Sequence, residues 1–269
     1  MPKRYKKKRL LVFVAICLVV AGFYGIKILN HNSDRDKLET TLETIENLNA
    51  VTETEDSENT EIVPPAAELD AKNPYYDYIK MKMLSVDFTE LKTINPNVKG
   101  WVNVLGTNIN YPFVRATDNE YYLTHSFDGS YNQSGWVFMD YRNGDENKHT
   151  ILYAHARYEG TMFGSLKNIL TDGWLNNPNN FIIRTSTATE NSLWQIFSAY
   201  HLPDTSDYLK IAFASDADFL DFTEMLKNRS VYDFHTTVAP SDKILTLSTC
   251  YNDDERLAVH AKLIKREAR

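Results

Sequence analysis

Cysteine is scarce in this chain of 269 residues, which contains two: Cys17 and Cys250. Cys17 lies in an apolar N-terminal run, so the rest of the chain has a single thiol and cannot form an internal disulfide. Such a cysteine is an intermolecular link, a reactive thiol or a small buried hydrophobic residue. Apolar and polar residues alternate through "KILTLSTC" (243–250), which places Cys250 at the end of a predicted strand.

Other features of ligand-binding proteins are also missing from the sequence. No group of Cys, His, Asp and Glu has the spacing of a metal site, and no glycine-rich phosphate loop is present, so we predict no cofactor and no metal. Residues 71–269 carry 20 basic and 24 acidic side chains without a strong basic patch. This balance argues against nucleic acid as a partner.

Charge divides the N-terminal part of the chain into three segments. Six of residues 3–9 are basic, and residues 10–26 contain no charged side chain. We predict a cytoplasmic tail over 1–9 and a single-pass transmembrane anchor over 10–29, favoured over a cleaved signal peptide because no small-x-small site follows. Residues 30–70 are predicted to be an acidic stalk, with a marginal helix at 33–49 and a disordered spacer at 52–68. Residues 71–269 then form an extracellular globular domain.

The globular part has the pattern of a mainly β protein with helices. From Gly100 onward the hydrophobic period is two, and short strand candidates separated by polar turns predict a β-barrel or sandwich. A hairpin is predicted to turn near Gly106. Residues 74–93 are predicted to be helical, and a helix over 216–228, capped by Ser215, precedes the cysteine strand. Strand candidates include 134–141, 149–155, 192–202, 243–250 and 256–264.

Two further residues could act together with the thiol. Arg256 opens the strand after Cys250, so antiparallel pairing of 243–250 with 256–264 would return its guanidinium to the sulfur. A surface ion pair with Asp253 or Asp254 is the alternative for Arg256. His155 ends the strand "TILYAH" before a polar loop, where functional groups are often presented; an ordinary surface or core histidine is the alternative. Thiol, imidazole and guanidinium together suit nucleophilic catalysis.

These residues carry a resemblance to a known family. "TLSTC" at 246–250, an Arg opening the next strand and a His after "ILYA" resemble the sortase transpeptidases of Gram-positive bacteria. Residues 95–140 are similar to the start of the catalytic domain in class B sortases, and the resemblance covers roughly 75–266. It implies an eight-stranded sortase-type β-barrel with N-terminal helices and one helix inserted before the catalytic Cys strand. A papain-like peptidase is disfavoured because its Cys begins a helix and precedes its His.

The resemblance also implies a reaction. Cys250 would attack the carbonyl of a Thr in the C-terminal sorting signal of a secreted protein, with Asn-Pro-x-Thr as one such motif. His155 would act as acid and base, and Arg256 would stabilise the oxyanion or position the substrate backbone. An amine of a peptidoglycan precursor would resolve the thioacyl enzyme, or, in the alternative of pilin polymerisation, a pilin lysine. Ser248 and Thr249 are candidate substrate contacts.

The resemblance is incomplete at one position. Some class B members have an Asp two residues after the Cys, and this chain has Asn252 there, so we count no acidic residue as catalytic. A non-catalytic surface domain that retains a buried Cys is the remaining alternative. Its thiol would react only after denaturation.

Overall fold

The computed structural model of the protein describes residues 3–63, 69–144, 146–203, 205–252 and 254–269. Its helices and strands follow one another in the order α1 (Lys3–Asn47), β1 (Val51–Thr54), β2 (Thr60–Ile62), α2 (Tyr75–Tyr78), β3 (Met83–Val86), α3 (Thr89–Ile94), β4 (Val98–Val104), β5 (Asn110–Val114), β6 (Phe138–Met139), β7 (His149–Tyr153), α4 (Asp172–Leu175), β8 (Ile182–Thr187), β9 (Glu190–Pro203), α5 (Asp216–Asn228), β10 (Ile244–Cys250) and β11 (Glu255–Ala268). Short 3₁₀ helices lie at Tyr121–Leu123, Gly164–Leu170 and Pro178–Phe181.

Eight of these strands close into a barrel. Their order around the ring is β10, β7, β6, β5, β4, β8, β9 and β11, and the pairing of β10 with β11 closes it. The pairs β5–β6 and β7–β10 are parallel, and the others are antiparallel. The prediction of an eight-stranded β-barrel with helices is therefore confirmed.

Alternation along β10 separates two hydrophobic layers. Leu245 and Leu247 pack in the main core, and the intervening Thr246 and Ser248 are buried on the opposite face. Helix α5 covers a second apolar cluster on that face, which includes Phe219, Phe222 and Leu226 from α5 together with Phe197 and Tyr200 from β9. Cys250 shares the face of Thr246 and Ser248, so its sulfur lies outside the packed barrel interior.

Helix α5 forms where its sequence pattern indicates. It begins at Asp216 and ends at Asn228, as predicted, and the hydroxyl of Ser215 accepts a hydrogen bond from the backbone N–H of Asp218 at 3.2 Å. The predicted hairpin is formed by β4 and β5, with Gly106 in the turn at φ +71°. Both features follow from local sequence signals: the Ser215 cap for α5 and the turn glycine Gly106 for the hairpin.

Two of the expectations about the N-terminal half are wrong. Residues 51–54 and 60–62 are strands rather than a disordered spacer, because β1 pairs with β3 and β2 pairs with β11; residues 64–68 lie outside the described part. Residues 74–93 are not one helix but α2, β3 and α3. Pairing with β1 and burial of Met83, Leu84 and Val86 favour a strand at 83–86 over the helical pattern.

Helix α1 is much longer than the predicted helix at 33–49, and its C-terminal third packs on the barrel through Leu38 and Ile45. Across the described residues, no helix offers a stretch both long enough and apolar enough to span a membrane. The transmembrane anchor over 10–29 stays a prediction. The boundaries 1–9, 10–29, 30–70 and 71–269 stay predictions.

Two charged side chains of β11 attach the segment 51–63 to the barrel. Glu267 accepts hydrogen bonds from the hydroxyls of Thr54 and Ser57. The ammonium of Lys265, which is fully buried, donates to the carbonyl of Ile79 at 2.8 Å and pairs with Asp56. The segment is therefore part of the folded domain.

Removal of this segment is expected to destabilise the domain. We predict that fragment 71–269, which lacks this segment and the end of α1, unfolds with a free energy about 2–4 kcal/mol below that of fragment 30–269. The reason is that β1, β2 and the buried Leu38 and Ile45 are lost and buried polar groups lose partners. Urea unfolding followed by tryptophan fluorescence measures this difference. The full-length chain, which should match fragment 30–269, is the control; equal stability of the two fragments would contradict the prediction.

Candidate active site

The short turn between β10 and β11 brings Arg256 to Cys250. In the antiparallel register of these strands Cys250 and Arg256 are direct Cα partners. The Nη1 atom of Arg256 donates a hydrogen bond to Sγ of Cys250. The backbone N–H of Tyr251 donates to the carbonyl of Glu255 at 2.8 Å and closes the turn. The guanidinium of Arg256 therefore lies beside the sulfur of Cys250, as predicted.

The parallel pairing of β7 and β10 brings His155 to the same edge of the barrel. Ser248 is the Cα partner of Tyr153, and the hydroxyl of Thr249 donates to the carbonyl of Ala154 at 2.6 Å. Continuing this register by two residues beyond Ser248 and Tyr153 places His155 beside Cys250. Parallel strands end at the same edge, so the imidazole and the thiol are presented together.

The imidazole of His155 is held in one orientation. Its Nε2 atom lies 2.8 Å from the carbonyl oxygen of Leu123, and because a carbonyl can only accept, Nε2 carries the hydrogen. Gly135, with φ +60°, lies against the ring: a Cβ there would be 3.0 Å from Cδ2 of His155 and 2.6 Å from the carbonyl oxygen of Tyr122. This arrangement leaves Nδ1 as the nitrogen that can exchange a proton.

Cys250, His155 and Arg256 are half-buried and line one open cleft of about 640 Å³. Its other lining residues are Asn119, Leu123, Phe138, Tyr153, Ala154, Thr205, Ser206, Tyr208, Leu209, Ser248 and Thr249. The sulfur is therefore reachable, and a buried inert thiol does not describe Cys250. Asp253, one predicted ion-pair partner of Arg256, lies outside the described residues.

Ser248 and Thr249, the two candidate substrate contacts, both line this cleft but are buried themselves. The Ser248 hydroxyl is 2.9 Å from the hydroxyl of Tyr208, and the Thr249 hydroxyl binds the carbonyl of Ala154. Both hydroxyls are thus engaged within the protein. A direct role in substrate binding stays a prediction.

A buried chain of hydrogen bonds supports β10 behind the cysteine. The Thr246 hydroxyl is 2.6 Å from Nε2 of His149 and 2.7 Å from Nδ1 of His260. Nε2 of His260 is 2.9 Å from the hydroxyl of Tyr200, and Nδ1 of His149 is 2.7 Å from the carbonyl oxygen of Lys210. Since that carbonyl only accepts, all four bonds are satisfied with both imidazoles neutral: Tyr200 donates to His260, His260 to Thr246, Thr246 to His149 and His149 to Lys210.

Burial keeps these imidazoles neutral in the folded protein. It lowers the pKa of His149 to about 4 and holds the pKa of His260 well below its usual range. Sequence reasoning assigned no role to either residue. Hydropathy alone does not show that two strand histidines meet at one threonine.

The neutral histidines predict a loss of stability in mild acid. An unfolded imidazole takes up a proton below about pH 6.5, whereas folded His149 does so near 4, so stability is full above pH 6.5 and falls as the pH drops towards 4. Between pH 7 and pH 5, His149 alone should account for about 2 kcal/mol. Urea unfolding at both values measures this.

The matched variants for this prediction are His149→Gln, which should reduce the pH dependence of stability by this amount and leave the part due to His260, and His125→Gln, which should not reduce it. His125 lies on the surface and stacks on Tyr121. A wild-type unfolding free energy that does not change between pH 7 and pH 5 would contradict the assignment of neutral buried imidazoles.

Comparison with known proteins agrees with this geometry. The sortase domain matches residues 102–264, more than half of the chain. The chain belongs to the sortase family. Sortase B of Staphylococcus aureus is 34% identical to it over 184 residues, which cover 66% of this chain and 75% of that protein.

Solved structures of class B sortases share the fold. Sortase B from B. anthracis, in complex with AAEK1, is 38% identical with a TM-score of 0.62 and covers 66% of this chain and 84% of that one. A substrate complex of S. aureus sortase B is 34% identical with a TM-score of 0.62 and the same coverage. The resemblance to class B sortases is confirmed, and this sortase is a cysteine transpeptidase.

Proposed function

We propose that this sortase cleaves a C-terminal sorting signal after a Thr, through a thioacyl enzyme on Cys250, and transfers the protein to an amine of a peptidoglycan precursor. The observation that carries the proposal is the hydrogen bond from the guanidinium of Arg256 to Sγ of Cys250, in an open cleft that His155 also lines. Because both the tagged protein and the acceptor lie outside the cytoplasm, the reaction takes place at the cell surface.

Arg256 supports the first chemical step in two ways. The hydrogen bond from its Nη1 atom to Sγ of Cys250 orients the nucleophile within the cleft. When Sγ bonds to the carbonyl carbon of the Thr, the electron pair of the C=O bond moves to the oxygen. A planar guanidinium rich in N–H donors, held beside Sγ, can then bind that oxyanion.

His155 handles the protons of both half-reactions. As the imidazolium it gives the proton on Nδ1 to the departing amine as the C–N bond breaks and the thioester forms. It then takes a proton from the incoming amine, whose attack forms the new amide bond and releases the thiolate. The hydrogen bond from Nε2 to the Leu123 carbonyl fixes the orientation of the ring.

The cleft suits a short extended peptide. Its walls are mostly apolar or aromatic, as in Phe138, Tyr153 and Leu209, and polar groups such as Asn119 lie among them. A complex of the S. aureus relative with substrate has been solved. Family resemblance supports Asn-Pro-x-Thr or a related motif as the sequence that this cleft accepts.

Mass spectrometry of the covalent intermediate tests the proposal. Incubation with a library of Asn-Pro-x-Thr peptides should add to Cys250 the mass of the peptide up to its Thr. A peptidoglycan-precursor amine should discharge this adduct faster than a pilin lysine peptide if peptidoglycan is the acceptor, and the reverse order would favour pilin polymerisation. A thiol that alkylates normally but gains no adduct from any library member would contradict the proposed function.

A further inference from the structure

The connection between β9 and α5 forms one wall of the cleft. Its residues 205–210, here called the wall segment, supply Thr205, Ser206, Tyr208 and Leu209 to the lining. The segment contains no helix or strand, so its position depends on side-chain contacts with the barrel. Such contacts control the shape of the cleft.

Arg142 makes one of these contacts from the loop between β6 and β7. Its Nη2 atom donates to the carbonyl oxygen of Leu209 at 3.2 Å and to Oδ2 of Asp140 at 2.7 Å. Its Nε atom donates to Oδ1 of the same carboxylate at 2.9 Å. The guanidinium thus bridges the wall segment and Asp140.

Asp140 connects this bridge to another lining residue of the cleft, Tyr153. Its side chain is completely buried, and its Oδ2 atom also accepts a hydrogen bond from the hydroxyl of Tyr153 at 2.9 Å. Tyr153 lines the cleft from β7, two residues before His155. One carboxylate therefore holds Tyr153 directly and Leu209 through Arg142.

We propose that Arg142 is a positioning residue that sets the width of the peptide cleft by tying the backbone of Leu209 to the Asp140–Tyr153 pair. The inference rests on the proposed function, because the width matters for a peptide substrate. Arg142 is not among the residues that line the cleft and does not touch the reacting atoms. Its effect falls on how tightly the peptide binds rather than on the chemical steps.

The geometry of the bridge explains why an arginine is needed. A guanidinium can donate to both oxygens of one carboxylate and to a third acceptor, whereas an ammonium is a point charge on a flexible stem. In Arg142→Gln the buried carboxylate of Asp140 keeps two donors, the hydroxyl of Tyr153 at 2.9 Å and the backbone N–H of position 142 at 3.0 Å. Substitution should therefore loosen the wall segment while the barrel stays folded.

Steady-state kinetics of Arg142→Gln and Arg142→Lys with a sorting peptide test the proposal. In Arg142→Gln, KM should rise about tenfold while kcat stays within about threefold, and Arg142→Lys should recover only part of the loss. Alkylation of Cys250 by iodoacetamide should keep its wild-type rate. The control is Arg184→Gln, since Arg184 pairs with Glu53 outside the cleft and should leave KM unchanged.

Amide hydrogen exchange across 205–210 gives a readout that needs no substrate. Exchange should be faster in Arg142→Gln than in the wild type and unchanged in Arg184→Gln. Unchanged hydrogen exchange together with an unchanged KM in Arg142→Gln would overturn the role proposed for Arg142 and leave the proposed function intact. A wild-type enzyme that forms no peptide adduct would overturn the proposed function, while exchange would still decide whether Arg142 holds the wall segment.

Discussion

Cys250→Ala is expected to abolish cleavage of every sorting-signal peptide while leaving the protein folded. Without the sulfur no thioester can form, and the neighbouring guanidinium and imidazole have no nucleophile to serve. The loss of turnover should be about 10⁴-fold or more, as for other enzymes deprived of a covalent nucleophile. Chromatographic detection of cleaved peptide over several hours measures residual activity to that level.

The chain supplies its own control for this prediction. Cys17, the other cysteine, is exposed on α1, far in sequence from the cleft. Cys17→Ala should therefore retain wild-type turnover, and thermal unfolding should show that both variants fold. Cleavage by Cys250→Ala within tenfold of the wild type would show that the sulfur is not the nucleophile.

Alkylation of the native protein separates an enzyme from an inert surface domain. Cys250 is half-buried and lines the cleft, so a small thiol reagent should reach it without denaturation. A large peptide substrate should protect it, because both occupy the same cleft. The alternative of a buried structural thiol requires reaction only after unfolding.

The parts of the site that the sequence predicts are those set by local patterns. Strict alternation through 243–250 fixes the face of Cys250, and a short turn forces Arg256 back beside it. The cap at Ser215 and the apolar face of the following residues define α5 to the residue. Each of these features is encoded within about fifteen residues of chain.

The parts that the sequence does not reveal depend on contacts between distant segments. Arg142 and Leu209 are 67 positions apart, and Thr246 joins His149 to His260 across three strands. Strands β1 and β2 lie in an acidic, apolar-poor stretch that is typical of disorder. They form because β3 and β11 offer unpaired edges to them, which no local pattern indicates.

His155→Ala is expected to lower kcat/KM by about 10²–10⁴, the range for loss of a general acid and base. The departing amine would leave without a proton, and no base would take the proton from the incoming amine, so both half-reactions should slow. The pH dependence of kcat/KM should also lose the step due to the imidazole. Rates of peptide cleavage between pH 5 and pH 9 measure both effects.

Arg256→Ala is the informative comparison for His155→Ala. Loss of an oxyanion donor should lower kcat about 10²–10³-fold. Because a guanidinium does not titrate between about pH 5 and pH 9, the step in the pH dependence of kcat/KM that is due to His155 should persist in this variant. A second comparison, Gly135→Ala, places a Cβ 3.0 Å from the His155 ring and should lower kcat by displacing an imidazole that is still present. The opposite outcome would be a His155→Ala variant that keeps the wild-type pH profile and loses less than tenfold in rate. Proton transfer would then have to be assigned to another group. The hydrogen bond from His155 to Leu123 would in that case have a structural role only.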